Sequence, residues 1–418
     1  MDVNTTKTPY YLYDFQILNE TLNALQRATV KYGVIPHYAV KANCESEILS
    51  TIAARGVGAD CVSIYEVRAA LACGFKVDGL VFSGAGKRPD EIREAIELGI
   101  GCLNIESLQE LFLAGKIAAE LRIPVRFSLR ITPDAEVETH EYLTTGRSFN
   151  KFGLLEDEID EAITYIKTAA FLRFTGIHLH AGSQIRSTNT FRNLSAVMQR
   201  FNELFIKRGL VPVMLNLGGG WGINYDEPDV ELIPDFDAWF SALNENIKLM
   251  PGQKIHVEPG RSVVAQCGSL VTEVLYTKER GGKIFAIVDA GMTELLRPAL
   301  YGSKHKVHLQ DNCDDTEEAL YDVVGPICES SDVFAQALRL PVLEPGTRLV
   351  IRSVGAYGQT MSSRYNMRPE APVVFINHTP RNIIRENKGS QFHCVCTTSL
   401  KRANTIKNEN VLAGLVFS

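Results

Sequence analysis

Apolar positions along the chain fall into short runs separated by longer segments of helical spacing, and over the first part of the sequence the two alternate regularly. After Tyr10-Tyr11-Leu12-Tyr13, which reads as a strand, residues 18–30 carry apolar side chains at helical spacing. Strand-like runs then recur at 35–40, 59–62, 80–83, 102–105, 125–131, 174–180, 213–217 and 255–257. Helix-patterned segments such as 45–54, 64–73, 89–98 and 108–121 lie between them, most ending in glycine or a basic residue as helix ends do. Strand then helix, repeated over roughly 230 residues, predicts an α/β fold built on a (β/α)8 TIM-like barrel. A doubly wound open sheet is the alternative, but no G-x-G-x-x-G follows the first strand.

Beyond Arg261 the texture changes. Runs at 262–274, 283–288, 306–309, 348–353 and 372–376 read as strands with few helices between them, which predicts a second, mainly β domain. The first strand stands outside the barrel alternation and is expected to pair there. The predicted division is a barrel over 30–262, a β domain from 1–29 and 263–386, and a tail over 387–418 that shows neither period and is expected to be poorly ordered. The stretch 132–151, rich in Thr, Glu and Gly, is too long for an ordinary barrel loop; a cover for a site and inert decoration are its two readings.

Composition narrows the partners. A chain of 418 residues that is 45% hydrophobic can bury two cores. The formal net charge is -6 and the basic residues are scattered, so neither nucleic acid nor an anionic membrane has an electrostatic footprint, and a small molecule is the expected partner. The nine cysteines are odd in number and include no C-x-x-C pair, which fits reduced thiols in the cytoplasm. The opening residues lack a basic segment followed by an apolar core, and no apolar run reaches membrane-spanning length.

Candidate chemistry gathers at the predicted strand ends. In His37-Tyr38-Ala39-Val40-Lys41-Ala42-Asn43 the strand period turns Lys41 away from Val40 near the carboxyl end, where barrel active sites sit. An amine stripped of solvation there has a lowered pKa and can form a Schiff base with an aldehyde; a surface lysine at a strand end is the plain alternative. His178 and His180 end the sixth barrel strand on one face, and three readings compete: a zinc pair, one histidine stacked on an aromatic cofactor, or hydrogen-bonded core residues. Zinc needs further ligands, and the other strand ends offer Lys41, a glycine run and Glu258. Gly218-Gly219-Gly220 follows the seventh strand, where missing Cβ atoms let backbone N–H groups cradle a phosphate, with the Ser183 hydroxyl from the neighbouring loop. Glu258-Pro259-Gly260-Arg261 closes the eighth. A buried carboxylate there needs a partner, either Arg261 itself or a protonated heterocyclic nitrogen, and Arg261 can instead clamp a phosphate or carboxylate.

Three further stretches add groups. Gly84-Ala85-Gly86-Lys87-Arg88 lacks the first glycine and the final hydroxyl of a phosphate loop and reads as a turn. Arg297 and Tyr301, four apart, converge if their segment is helical. Residues 325–332 read as a turn into a capped helix that sets the Cys328 thiol beside a carboxylate, although a lone cysteine is more often a small buried hydrophobe. An amine for an aldehyde, a histidine for a ring face, glycines for a phosphate and a glutamate for a ring nitrogen together describe a site for pyridoxal 5′-phosphate.

The motifs Tyr38-Ala39-Val40-Lys41-Ala42-Asn43, His180-Ala181-Gly182-Ser183-Gln184, Gly218-Gly219-Gly220, Glu258-Pro259-Gly260-Arg261, Cys328-Glu329-Ser330-Ser331-Asp332 and Gly355-Ala356-Tyr357-Gly358 resemble those of the diaminopimelate decarboxylase family. That family lies within the barrel-type pyridoxal phosphate decarboxylases, which include ornithine and arginine decarboxylases. Glu329 after the thiol resembles the diaminopimelate enzymes, whereas ornithine decarboxylases carry aspartate there. The resemblance implies that Lys41 bonds the cofactor, His180 stacks on its ring and Glu258 keeps its ring nitrogen protonated. It further implies that Ser183, Gly219, Gly220, Gly260, Arg261 and Tyr357 surround its phosphate. By the same resemblance Cys328 donates a proton to the substrate's Cα, and Arg261, Arg297, Tyr301, Glu329 and Tyr357 read the substrate.

The implied reaction is decarboxylation of meso-2,6-diaminopimelate to L-lysine and carbon dioxide. The implied assembly is a homodimer in which the Cys328-Glu329 segment reaches into the partner's barrel. Three alternatives stand beside it: the same cofactor with ornithine, arginine or a carboxylated polyamine; a homologue without catalysis that binds a partner subunit; and metal-dependent hydrolysis on His178 and His180. Residues 391–418 depart from the family, which ends in a short acidic and apolar helix.

Overall fold

The computed structural model describes residues 6–133, 151–311 and 317–378. Most of the 132–151 insert and the whole 387–418 tail lie outside the described residues. The chain opens on β1 (Tyr10–Asp14) and α1 (Phe15–Tyr32). Eight parallel strands then close in chain order: β2 (Val34–Ala39), β3 (Gly58–Cys61), β4 (Leu80–Phe82), β5 (Cys102–Ile105), β6 (Val125–Arg130), β7 (Leu172–His178), β8 (Met214–Asn216) and β9 (Lys254–Val257), with β9 pairing back onto β2. The predicted barrel is therefore the observed one. Between the strands run α2 (Ser46–Ala53), α3 (Ile64–Ala72), α4 (Pro89–Leu98), α5 (Leu108–Leu121), α6 (Ile159–Thr168), α7 (Thr188–Lys207) and α8 (Phe236–Asn244).

Short polar signals set the turns that carry the site. Ser63 and Ser107 cap α3 and α5 by accepting from the N–H groups of Glu66 and Glu110. Those glutamates reach back to the N–H groups of Val62 and Glu106, so each strand-to-helix turn at the barrel mouth is pinned at both sides. Between β9 and the next strand stands one short helix, α9 (Arg261–Val264). α1 packs where a longer eighth helix would stand: its Lys31 pairs with Asp237 of α8 at 2.7 Å, and Arg55 after α2 donates to its Asn19 and Asn23. Its buried stripe, Phe15, Leu18, Leu22 and Leu25, joins the core between strands and helices.

The second sheet contains β10 (Gly268–Arg280), β11 (Lys283–Val288), β12 (Val307–Leu309), β13 (Glu318–Val324), β14 (Val333–Pro341), β15 (Arg348–Ile351) and β16 (Val373–Ile376), with α10 (Arg297–Tyr301) between β11 and β12. β1 pairs antiparallel with β10 and parallel with β16, so the N-terminal strand does join this sheet. Two expectations need correction. The strand predicted over 262–274 begins only at Gly268, because Arg261 to Val264 turns helically before the chain leaves the barrel. No capped helix follows residues 325–332. The Asp332 carboxylate instead accepts from the N–H groups of Met292 and Ile327, closing a turn between β13 and β14. Among the described residues no helix is long and apolar enough to cross a membrane.

Candidate active site

Lys41 stands at the carboxyl end of the barrel, but not for the reason its strand period suggests. β2 ends at Ala39, and Val40–Ala42 form one 3₁₀ turn. That turn places the amine 2.8 Å from Asp60 Oδ2 at the end of β3, with the lysine side chain 38% exposed at the mouth and the aspartate 1% exposed. Burial pushes the amine's pKa down, as expected for a desolvated lysine. The carboxylate of Asp60, with Tyr357 and Glu258, outweighs burial and raises it, so the expected lowering is not what the structure holds.

Asp60 is the terminus of a chain of polar side chains across four consecutive strands, none of which the sequence reading singled out. Ser83 Oγ donates to Asp60 Oδ1 at 2.6 Å, Asn104 Nδ2 donates to Ser83 Oγ at 2.8 Å, and Ser128 Oγ donates to Asn104 Oδ1. Every donor in this buried series points towards the aspartate, so each dipole stabilises its negative charge. Asp60 is thereby fixed as an acceptor facing Lys41.

The other side of the mouth is organised around Glu258, just past β9. Its Oε1 accepts from Asn216 Nδ2 at 2.7 Å, and its Oε2 lies 3.1 Å from His178 Nε2. Burial pushes this carboxyl up, yet His178, Lys41 and His180 hold it below the usual carboxylate range. Arg261, three residues on, is not its partner. The two histidines have separate partners: His178 has Glu258, while His180 Nδ1 accepts from the Gly219 N–H at 3.3 Å. Burial, with the charges of Arg130 and Lys41, pushes His180 down to about 3, which leaves a neutral imidazole fit to lie against an aromatic ring. Among the described residues no group of His, Cys, Asp and Glu is placed to hold a metal ion.

The glycine run after β8 is required by its surroundings. A Cβ at Gly219 would stand 2.2 Å from the carbonyl oxygen of Glu258, and one at Gly220, where φ is 108°, 2.5 Å from that of Gly182. Gly260 brings its backbone against Ala39 and Ala42 on the Lys41 turn. Gly84 donates its N–H to Glu106, and the neighbouring Lys87 is buried against Glu110, so residues 84–88 form a turn as expected.

Arg261 donates to Ser183 Oγ at 2.9 Å and to Tyr225 Oη at 2.5 Å, and lies over the Tyr357 ring at 4.9 Å. Tyr357 holds φ at 60° while its N–H donates to Ala42 O, which ties the second sheet to the Lys41 turn. Arg297 is buried with its guanidinium 4.7 Å from the centre of the Tyr225 ring; Tyr301, one helical turn later, is 64% exposed. The approach of Gly355 underlies this arrangement: a Cβ there would stand 1.8 Å from Val264 O. Gly355→Ala is expected to cost about 1–3 kcal/mol as the backbone is forced apart, seen as a lowered midpoint in thermal unfolding. An unchanged midpoint would mean that the sheet yields there without strain.

Cys328 and Glu329 form a separate group. Both are exposed, the Cys328 N–H donates to Asn366 Oδ1, and Glu329 accepts from the Tyr365 hydroxyl at 2.7 Å. The expectation of a small buried hydrophobe fails for this thiol, because the turn that Asp332 closes presents it to solvent.

A family model described as pyridoxal-dependent decarboxylase, pyridoxal binding domain, matches residues 17–265. The chain is similar to a Bacteroides thetaiotaomicron protein named diaminopimelate decarboxylase, with 43% identity over 368 residues that span 87% of this chain and 94% of that one. Among solved structures it is similar to diaminopimelate decarboxylase from Helicobacter pylori complexed with L-lysine, at 39% identity and a TM-score of 0.80, covering 90% of this chain and 93% of that one. It is also similar to diaminopimelate decarboxylase from M. jannaschii in co-complex with L-lysine, at 30% identity and a TM-score of 0.83, covering 88% and 87% of the two chains.

Proposed function

The chain belongs to the diaminopimelate decarboxylase family of pyridoxal-dependent decarboxylases, and from that premise we propose that it converts meso-2,6-diaminopimelate to L-lysine and carbon dioxide with pyridoxal 5′-phosphate. One observation carries the reading. Lys41 and Glu258 follow β2 and β9, the two strands that close the barrel on each other, so an amine and an ionised carboxylate share one mouth. The donor set fits the cofactor. Lys41 would meet its aldehyde, Glu258 its ring nitrogen, neutral His180 its ring face, and the 218–220 cradle with Gly260, Ser183, Arg261 and Tyr357 its phosphate. Arg261 Nε is buried without a hydrogen-bond partner, as a phosphate-facing group would be.

When bound, pyridoxal phosphate supplies a sink for the electron pair left on the substrate's Cα as carbon dioxide departs. The chain's own residues do the rest. Asp60, 2.8 Å from Lys41 Nζ, holds and orients the amine at the mouth, where it would meet the cofactor's aldehyde. Glu258 holds negative charge where a protonated ring nitrogen needs it. Arg297, with Arg261, Tyr301 and Tyr357, binds the carboxylates of a substrate that has two.

Because Cys328 and Glu329 are exposed and bond to Asn366 and Tyr365, we place them at the mouth of the partner's barrel in a homodimer, with Cys328 donating the proton to Cα and Glu329 accepting from the distal amine. Lys41→Ala and Cys328→Ala, each inactive alone, are then expected to recover about a quarter of wild-type activity when mixed and allowed to exchange subunits. No recovery despite exchange would put both residues in one subunit's site. The free thiols of the described cysteines suit a cytoplasmic enzyme. The test of the function is carbon dioxide release from diaminopimelate, ornithine, arginine and carboxylated polyamines by the cofactor-loaded protein; strong preference for ornithine, or no turnover, would overturn it.

A further inference from the structure

Arg297 carries a charge that its described surroundings do not compensate. It is 5% exposed, and its guanidinium meets neutral groups: His305 Nε2 at 2.8 Å, Ser303 Oγ at 3.2 Å and the Tyr225 ring at 4.7 Å. A guanidinium does not shed its proton in a protein, so this one awaits a ligand that brings the negative charge.

The two bonds at His305 fix its tautomer. Nδ1 lies 2.8 Å from the carbonyl oxygen of Arg352, which only accepts, so Nδ1 carries the hydrogen. Arg297 only donates, so Nε2 presents a lone pair to it. Burial, with the charges of Arg297 and Arg261, pushes the imidazole down to about 3, which keeps that lone pair free near neutrality. The ring also stands edge-on to Tyr225, with centroids 4.7 Å apart, so arginine, imidazole and phenol form one packed unit.

We propose that His305 is a positioning residue for substrate selection: its Nε2 holds the Arg297 guanidinium against Tyr225 without neutralising it, so that Arg297 pairs with the second carboxylate of a diamino dicarboxylate. A carboxylate in place of His305 would fix Arg297 equally well but cancel its charge; a hydrocarbon would leave it charged and unplaced. The inference rests on the decarboxylase reading and deepens it.

The test uses cofactor-loaded His305→Asn, which offers a group near the Nδ1 position only, and His305→Gln, which offers an acceptor near the Nε2 position. In His305→Asn, KM for meso-diaminopimelate and the inhibition constant of L-lysine, which keeps the distal carboxylate, should rise about 10- to 100-fold. Inhibition by 1,5-diaminopentane, which has no carboxylate, should not change, and His305→Gln should stay within about threefold of wild type in all three. An unchanged KM in His305→Asn, equal weakening of both inhibitors, or failure of both variants to fold overturns the assignment. A wild-type protein that releases no carbon dioxide from diaminopimelate overturns the parent reading instead.

Discussion

Lys41→Ala is expected to remove the visible band of the bound cofactor from the purified protein and to lower decarboxylation on the order of 10⁴-fold. The amine is the group that Asp60 holds at the barrel mouth, and alanine removes it together with the rest of the lysine side chain. The fold should survive, although at some expense. Asp60, 1% exposed, keeps the Ser83 hydroxyl but loses its cation, and stranding a buried carboxylate costs up to about 3–5 kcal/mol. The 38% exposure of Lys41 lets water into the space and brings the cost below that range. Adding Asp60→Asn should therefore restore the thermal midpoint while leaving the activity lost. A visible band retained by Lys41→Ala would mean that another amine bonds the cofactor, and recovery of turnover in the double variant would remove Lys41 from the chemistry.

The barrel was legible because its strands are buried on both faces and read as apolar runs between glycine-terminated helices. Within those runs the informative departures were polar residues, and they went unread. Asp60, Asn104 and Ser128 each interrupt an apolar strand, and each points inward to the series that ends at Lys41. An acid or amide inside a barrel strand must be paired, so that signal was present in the sequence. Tyr225 offered none. It lies in an irregular stretch between β8 and α8, and its importance comes from the meeting of Arg261 and Arg297 on its ring, which only the tertiary fold creates. Nearness in sequence leaves two readings open for Glu258 and Arg261, and the fold decides between them: the chain turns at Gly260 into α9, and the guanidinium leaves for Ser183 and Tyr225. β13 and β14 were missed for a related reason, since a strand with partly exposed faces is defined by its neighbours more than by its own propensity.

Glu258→Gln is expected to lower kcat about 10²–10³-fold while the cofactor remains bonded to the chain. The substitution is nearly isosteric. The glutamine carbonyl oxygen can still accept from Asn216 Nδ2, and its amide faces His178 Nε2, which must then accept and move its hydrogen to Nδ1. That nitrogen is buried without a hydrogen-bond partner, so the rearrangement costs stability as well as charge. The effect on rate is separable from it, because a neutral amide cannot hold a proton on the ring nitrogen, and the developing negative charge then has a weaker sink. Glu258→Asp tests the same point from the other side. It keeps the charge but shortens the reach, and should recover more of kcat than the amide does, provided the carboxylate still meets the ring. The check is single-turnover decarboxylation followed alongside the cofactor's absorbance. Wild-type kcat in Glu258→Gln would show that no ring nitrogen lies against this side chain, and with it the shared mouth of β2 and β9 would lose its cofactor.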